Sequence, residues 1–277
     1  MDTQSNNKQK DDPQNSALSF WGHLEVLRGH LVRSAISIFL FALLAFLNKT
    51  IIFDYIILAP KEAGFITNRL FCLLSEYLSI PALCINEIPL QLINIELAGQ
   101  FKTHIVISLI AGIIIAFPYI LWEFWRFLQP ALTPKERANS RGAVFVTSFL
   151  FFLGVSFSYF LIVPLALNFL GTYQVSELVA NHIALSSYIN TVTMLTLATG
   201  LVFELPIIIY FLSRIGLVTP EIMRKNRKIA LVLILVLSAI ITPPDVVSQI
   251  LVAIPLFFLY EISIGISKRA IKINNEG

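Results

Sequence analysis

The chain has 277 residues, of which 56% are apolar and only 13% charged, and its formal net charge is +3. A water-soluble domain carries about 25% charged residues on its wetted surface, so a soluble globular fold is excluded and most of this surface must face lipid. The apolar segments follow one another without a long polar stretch, and a single all-α integral membrane domain is expected.

Residues 1–19 are polar, with Asp2, Asp11 and Asp12 among only two lysines. They lack the apolar core and small-residue cleavage site of a secretory leader and read as a disordered cytoplasmic tail. Next comes Phe20-Trp21-Gly22-His23-Leu24-Glu25-Val26-Leu27-Arg28. Leu24, Leu27 and Leu31 recur at helical spacing, which predicts an amphipathic helix running along the membrane surface into the first span. An interfacial anchor built on Phe20 and Trp21 produces the same pattern.

Crossing about 30 Å of hydrocarbon takes roughly 20 helical residues. Six runs meet or approach this: Ala35 to Ile52, His104 to Phe127, Ala143 to Leu170, Tyr188 to Leu212, Ile229 to Ile241, and Val246 to Ile266. Six transmembrane helices are therefore expected over residues 20–267. A loop over about 53–102 follows the first span, and a short tail, 268–277, follows the last. The fifth run rises only about 20 Å, and Pro243-Pro244 forces a tight turn before the sixth, so this hairpin either thins the bilayer or packs behind longer helices. In the first loop, Phe71, Leu73, Leu74, Tyr77 and Leu78 predict a short amphipathic helix. Cys72 and Cys84 also lie there; a disulfide and two buried thiols are equally compatible with their spacing.

The basic residues set the orientation. Sixteen of the 20 lie before span one, between spans two and three, between four and five, and after six, while Lys49, Lys61, Arg69 and Lys102 lie around the first loop. By the positive-inside rule both termini are cytoplasmic.

Three features can carry function. Phe20 to Arg28 is the first. The second runs from Pro118 through Trp122, Trp125 and Pro130 to Glu136-Arg137, an aromatic belt followed by an acid in a loop that is otherwise basic. Glu136 can balance Arg137 and a helix start, or receive a guanidinium from another molecule. The third is Glu204 within span four. A carboxylate in hydrocarbon costs several kcal/mol unless neutral, paired or hydrated, and is functional by default, although a hydrogen bond to another span, or to a carbonyl freed by Pro206, is also open to it. Glu261, nearer the end of span six, can snorkel. No phosphate-cradling loop, no metal-binding spacing and no nucleophile with a positioned base is present, and His23, His30, His104 and His182 are scattered. No enzyme activity, metal, cofactor or nucleic acid is expected. No internal repeat supports a two-halved transporter, but an ion-coupled transporter using Glu204 as its relay is the rival reading.

Five blocks, in this order, resemble the TatC family. They are His23-Leu24…Leu27-Arg28; Pro118…Trp125…Phe127…Pro130-Ala131-Leu132…Glu136-Arg137; Phe149 to Leu170 with Gly154, Tyr159, Phe160 and Pro164; Phe203-Glu204-Leu205-Pro206; and Thr242-Pro243-Pro244-Asp245-Val246-Val247-Ser248-Gln249. The resemblance implies a concave bundle of six helices whose last two spans are short, in the bacterial inner membrane. It implies the core receptor subunit of the twin-arginine translocase, which binds precursors with twin-arginine signal peptides on the cytoplasmic side. It also implies export of folded proteins together with single-span TatA/TatB-like partners, in a complex that holds several copies. By the same resemblance Glu136, with Arg137 beside it, belongs to the signal-peptide site, and Glu204, with Gln249, to the intramembrane partner contact. The family's N-terminal acid falls at Val26 here, with Glu25 one residue earlier. One residue on a helix is a rotation of about 100°, so either Glu25 enters the site from a different face or Glu136 carries most of the recognition.

Overall fold

The computed structural model describes residues 20–80, 83–85, 90–128, 140–176, 178, 181–242 and 246–275. The apolar runs form helices, because in lipid every backbone polar group must be satisfied within its own segment. They are α1 (Phe20–Leu47), α2 (Ile66–Leu78), α3 (Gly99–Leu128), α4 (Ser140–Phe157), α5 (Val163–Thr172), α6 (Leu185–Val202), α7 (Leu205–Arg214), α8 (Pro220–Lys225), α9 (Arg227–Ile241) and α10 (Val246–Asn275). Helix α1 packs along α3, α4 along α6, and α7 along α10.

Among the described residues five stretches are long and apolar enough to cross a membrane: Leu24–Leu47, Gly99–Leu128, Gly142–Thr172, Leu185–Arg214 and Gln249–Arg269. The segment around Glu25 runs into the first span as one helix, α1, unbroken from Phe20 to Leu47. One expectation needs correction. The last run is not short: its stretch apolar enough to cross, Gln249–Arg269, has 21 residues, and α10 continues beyond it to a total of 30, since Lys268 and Arg269 are good helix formers. Only α9, with 15 residues, is as short as expected.

Small residues let α1 and α3 approach closely. A Cβ on Gly112 would stand 2.7 Å from the Ala42 nitrogen and 2.8 Å from the Ile38 oxygen, and Ala116, four residues on, is fully buried. This is the small-xxx-small device of membrane helix pairs. The α4–α6 pair does the same, with Gly200 against Phe151 and Val155 and Gly154 against Phe203.

Two segments are wound as π-helix, Ile51–Ile57 after α1 and Ser158–Ile162 between α4 and α5. Hydroxyls brace the carbonyls of these widened turns. Tyr159 donates to the Ile56 oxygen at 2.7 Å, Tyr188 to the Ile57 oxygen at 2.8 Å, and Thr67 to the Phe160 oxygen. The core sits just inside this layer, where Tyr188, Ile107, Ile162, Leu195 and Leu256 are almost wholly buried.

The expected loop helix is α2. Its polar Thr67, Asn68 and Ser75 are buried while Leu70, Leu73, Leu74 and Tyr77 are exposed. An apolar outer face of this kind suits a membrane surface. Cys72, within α2, is joined to Cys84 by a disulfide, so the open choice between bridge and free thiols resolves to the bridge. Leu92–Ile93 and Ile183–Ala184 form a two-residue parallel pair, which ties this first connection to the one preceding α6.

Candidate functional site

The α1–α3 seam runs in antiparallel register, Phe46 stacking on His104, Ala42 facing Gly112 and His30 facing Glu123. Continued one further turn, that register sets residues 25 and 26 opposite the end of α3. Glu25 and Val26 are both exposed there. Glu136 and Arg137 fall within 129–139, outside the described residues.

Sequence reasoning missed the most buried acid at this end. Glu123 is 1% exposed, and a buried carboxylate must be paired. With its proton on Nδ1, His30 donates to Glu123 Oε2 at 2.5 Å, and Arg33 Nε donates to the same oxygen at 3.0 Å. The Arg126 guanidinium lies 3.6 Å from Oε1. His30 and Arg33 are one turn apart on α1, and Arg126 is one turn beyond Glu123 on α3, so helical spacing alone gathers the cluster. Arg33 and Arg126 remain half exposed, with side chains 47% and 53% accessible. Glu123 was legible as an acid between Trp122 and Trp125, but the aromatic run read as a membrane belt hid it.

Glu204 occupies the break between α6 and α7, where Pro206 sits in the first turn of the new helix. Its residue is 8% exposed, and neither carboxyl oxygen has a hydrogen-bond partner among the described residues. The carbonyl that Pro206 was expected to free for it is therefore not taken up. Phe203 fixes this break by filling the space over Gly154 and packing 5.8 Å from the Phe157 ring. Gln249 does not join Glu204; its amide donates to the Leu235 oxygen at 3.0 Å and braces the α9–α10 hairpin. Glu261, expected to snorkel, pairs with Arg227 at 2.7 Å. Among the described residues no group of acids, histidines and cysteines could hold a metal ion.

The family model described as "Sec-independent protein translocase protein (TatC)" matches residues 22–255. The chain belongs to the TatC family. A TatC of Blattabacterium sp. subsp. Periplaneta americana (strain BPLAN) is 40% identical over 252 residues, 90% of this chain and 95% of the relative. A TatC of Carboxydothermus hydrogenoformans is 33% identical over 91% of this chain and 93% of the relative. A crystal structure described as "Twin Arginine Translocase Receptor- TatC" shares 35% identity, covers 90% of this chain and 99% of its own, and superposes with a TM-score of 0.65. A second, of the same receptor in the detergent DDM, gives 0.68 over 87% of this chain. The names of these relatives describe transport of proteins rather than catalysis, and a TatC chain with five long apolar helices is a multi-pass membrane protein.

Proposed function

We propose that this TatC chain is the receptor subunit of a twin-arginine translocase. It binds leaders with paired arginines at the mouth of the α1–α3 pair and assembles through Glu204 with single-span partners of the TatA/TatB kind, in a complex of several copies that exports folded proteins. The observation that carries the reading is the 35% identity, over 90% of the chain, to crystal structures of a protein described as that receptor.

The site is cytoplasmic in this reading, and the membrane is the bacterial inner one. Residues 1–19 and 268–277 form cytoplasmic tails, and about 53–102 forms the first periplasmic loop. Helix α9, with about 22 Å of rise, crosses as the fifth of six spans where the bilayer thins around it. Six crossings gather sixteen of the 20 basic residues on one side, whereas five would strand Lys268, Arg269 and Lys272 on the other. The Cys72–Cys84 disulfide supports an oxidising compartment for the first loop.

Recognition rests on two carboxylates: Glu25 at the mouth, and Glu136, next to Arg137 in the sequence that follows α3. A carboxylate accepts two parallel hydrogen bonds from a guanidinium, which a lysine cannot imitate. The rival, ion-coupled transport through Glu204, requires a polar chain leading to that acid, and neither of its oxygens has a partner among the described residues. Binding of the purified chain to an Arg-Arg leader and to its Lys-Lys counterpart tests the proposal. The Arg-Arg leader binds much more tightly; equal binding overturns the receptor reading.

A further inference from the structure

The Glu123 cluster has no place in the site as the family resemblance draws it, yet it lies on the same helix seam as Glu25, about one turn further along. His30 is five residues beyond Glu25 on the same helix, a rise of about 7.5 Å, which is within the Debye length of about 8 Å at physiological salt. A dication arriving at Glu25 therefore feels the cluster. Along the described ends of α1 and α3, Arg28, Arg33 and Arg126 stand against Glu25 and Glu123. Without Glu123 those three arginines face a single acid. Two of them, Arg33 and Arg126, are half exposed and so present their charge to the approach. The third ligand, His30, has an 11% accessible side chain and is held to the same carboxylate.

We infer that Glu123 sets the affinity of the receptor for dicationic leaders: it does not touch the leader but neutralises the Arg33 and Arg126 guanidinium groups that would otherwise repel a dication from the receptor mouth. Burial makes Glu123 suited to this task and unsuited to direct capture. Its side chain is 2% accessible, and both carboxyl oxygens are occupied by resident cations. An incoming guanidinium would have to displace Arg33 or Arg126 to reach it. The inference rests on the receptor reading and adds to it a residue that acts through charge alone.

The test uses the full-length chain in lipid nanodiscs with a fluorescent leader peptide in Arg-Arg and Lys-Lys forms. Glu123→Gln keeps the shape of the side chain and one acceptor oxygen for His30 and Arg33 while removing its charge. One unit charge about 8–10 Å from a dication changes affinity about three- to tenfold at low salt. Glu123→Gln therefore weakens both leaders by that factor, the loss shrinks to less than about twofold near 0.5 M salt, and the preference for arginine over lysine is unchanged. Combining Glu123→Gln with Arg33→Gln restores most of the affinity, because the uncovered cation is gone. A purely structural role would give no salt dependence and no rescue, and thermal unfolding of each variant separates loss of fold from loss of binding. Unchanged affinity in a folded Glu123→Gln variant overturns the inference, as does a selective loss of the arginine form, which would make Glu123 a direct acceptor. Absence of any arginine preference in the unmodified chain would fail the receptor reading instead.

Discussion

Gly112 on α3 and Ala42 on α1 are in backbone contact: a methyl group on Gly112 would reach within 2.7 Å of the Ala42 nitrogen. No flexible side chain can move aside there, so any substitution pushes the two helices apart. Since the same seam ends at His30 and Glu123, its spacing sets the geometry of the receptor mouth. Gly112→Ala is expected to destabilise the chain by about 1–3 kcal/mol, as overpacking does in a filled core. Gly29→Ala, on α1 where nothing lies within 4 Å of the added carbon, is expected to be neutral or slightly stabilising. Thermal unfolding of both variants in one detergent checks the contrast.

Glu204 is buried at a helix break with neither oxygen bonded among the described residues, which suits a group whose partner comes from another molecule. One hydrogen bond in hydrocarbon contributes about 1 kcal/mol, enough to orient a docking helix. Glu204→Ala is expected to leave leader binding intact and to reduce co-purification of single-span partners. Loss of both would make the residue structural.

The Cys72–Cys84 bridge closes a short loop, the two residues being 12 apart in sequence, and holds α2 against the rest of the first connection. Removing it with Cys72→Ser and Cys84→Ser is expected to cost about 2–4 kcal/mol. In intact cells an impermeant thiol reagent should label neither cysteine before reduction and both after it. Labelling that appears only when the membrane is permeabilised would reverse the orientation.

Arg227 and Glu261 form an ion pair at 2.7 Å, but their side chains are 50% and 33% accessible. Solvent screening leaves such a pair with about 0–1 kcal/mol. Glu261→Gln is expected to change unfolding by less than about 1 kcal/mol, far below the effect of Gly112→Ala.

Much of this architecture was legible in apolar runs, because lipid imposes both the length and the helical form of a span. The last end was less legible. Helix α10 runs past Lys268, because a helix does not stop where the lipid stops. The π-turns braced by Tyr159 and Tyr188 were hidden, since they depend on hydroxyls more than one hundred residues away or on the facing turn. At the site, Glu204 and Glu25 stood out as charges in conspicuous places. Glu123 did not, because its meaning comes from His30 and Arg33 across the helix seam, some ninety residues distant in the chain.

The central claim is that a leader's paired arginines are received by carboxylates at the end of the α1–α3 seam from which the Glu136 segment leaves. A photocrosslinker placed at position 136 of the full-length chain tests it most directly. The claim requires adducts with the leader of an Arg-Arg precursor and far fewer with its Lys-Lys form. A chain that binds the precursor yet never captures its leader from position 136 would contradict it.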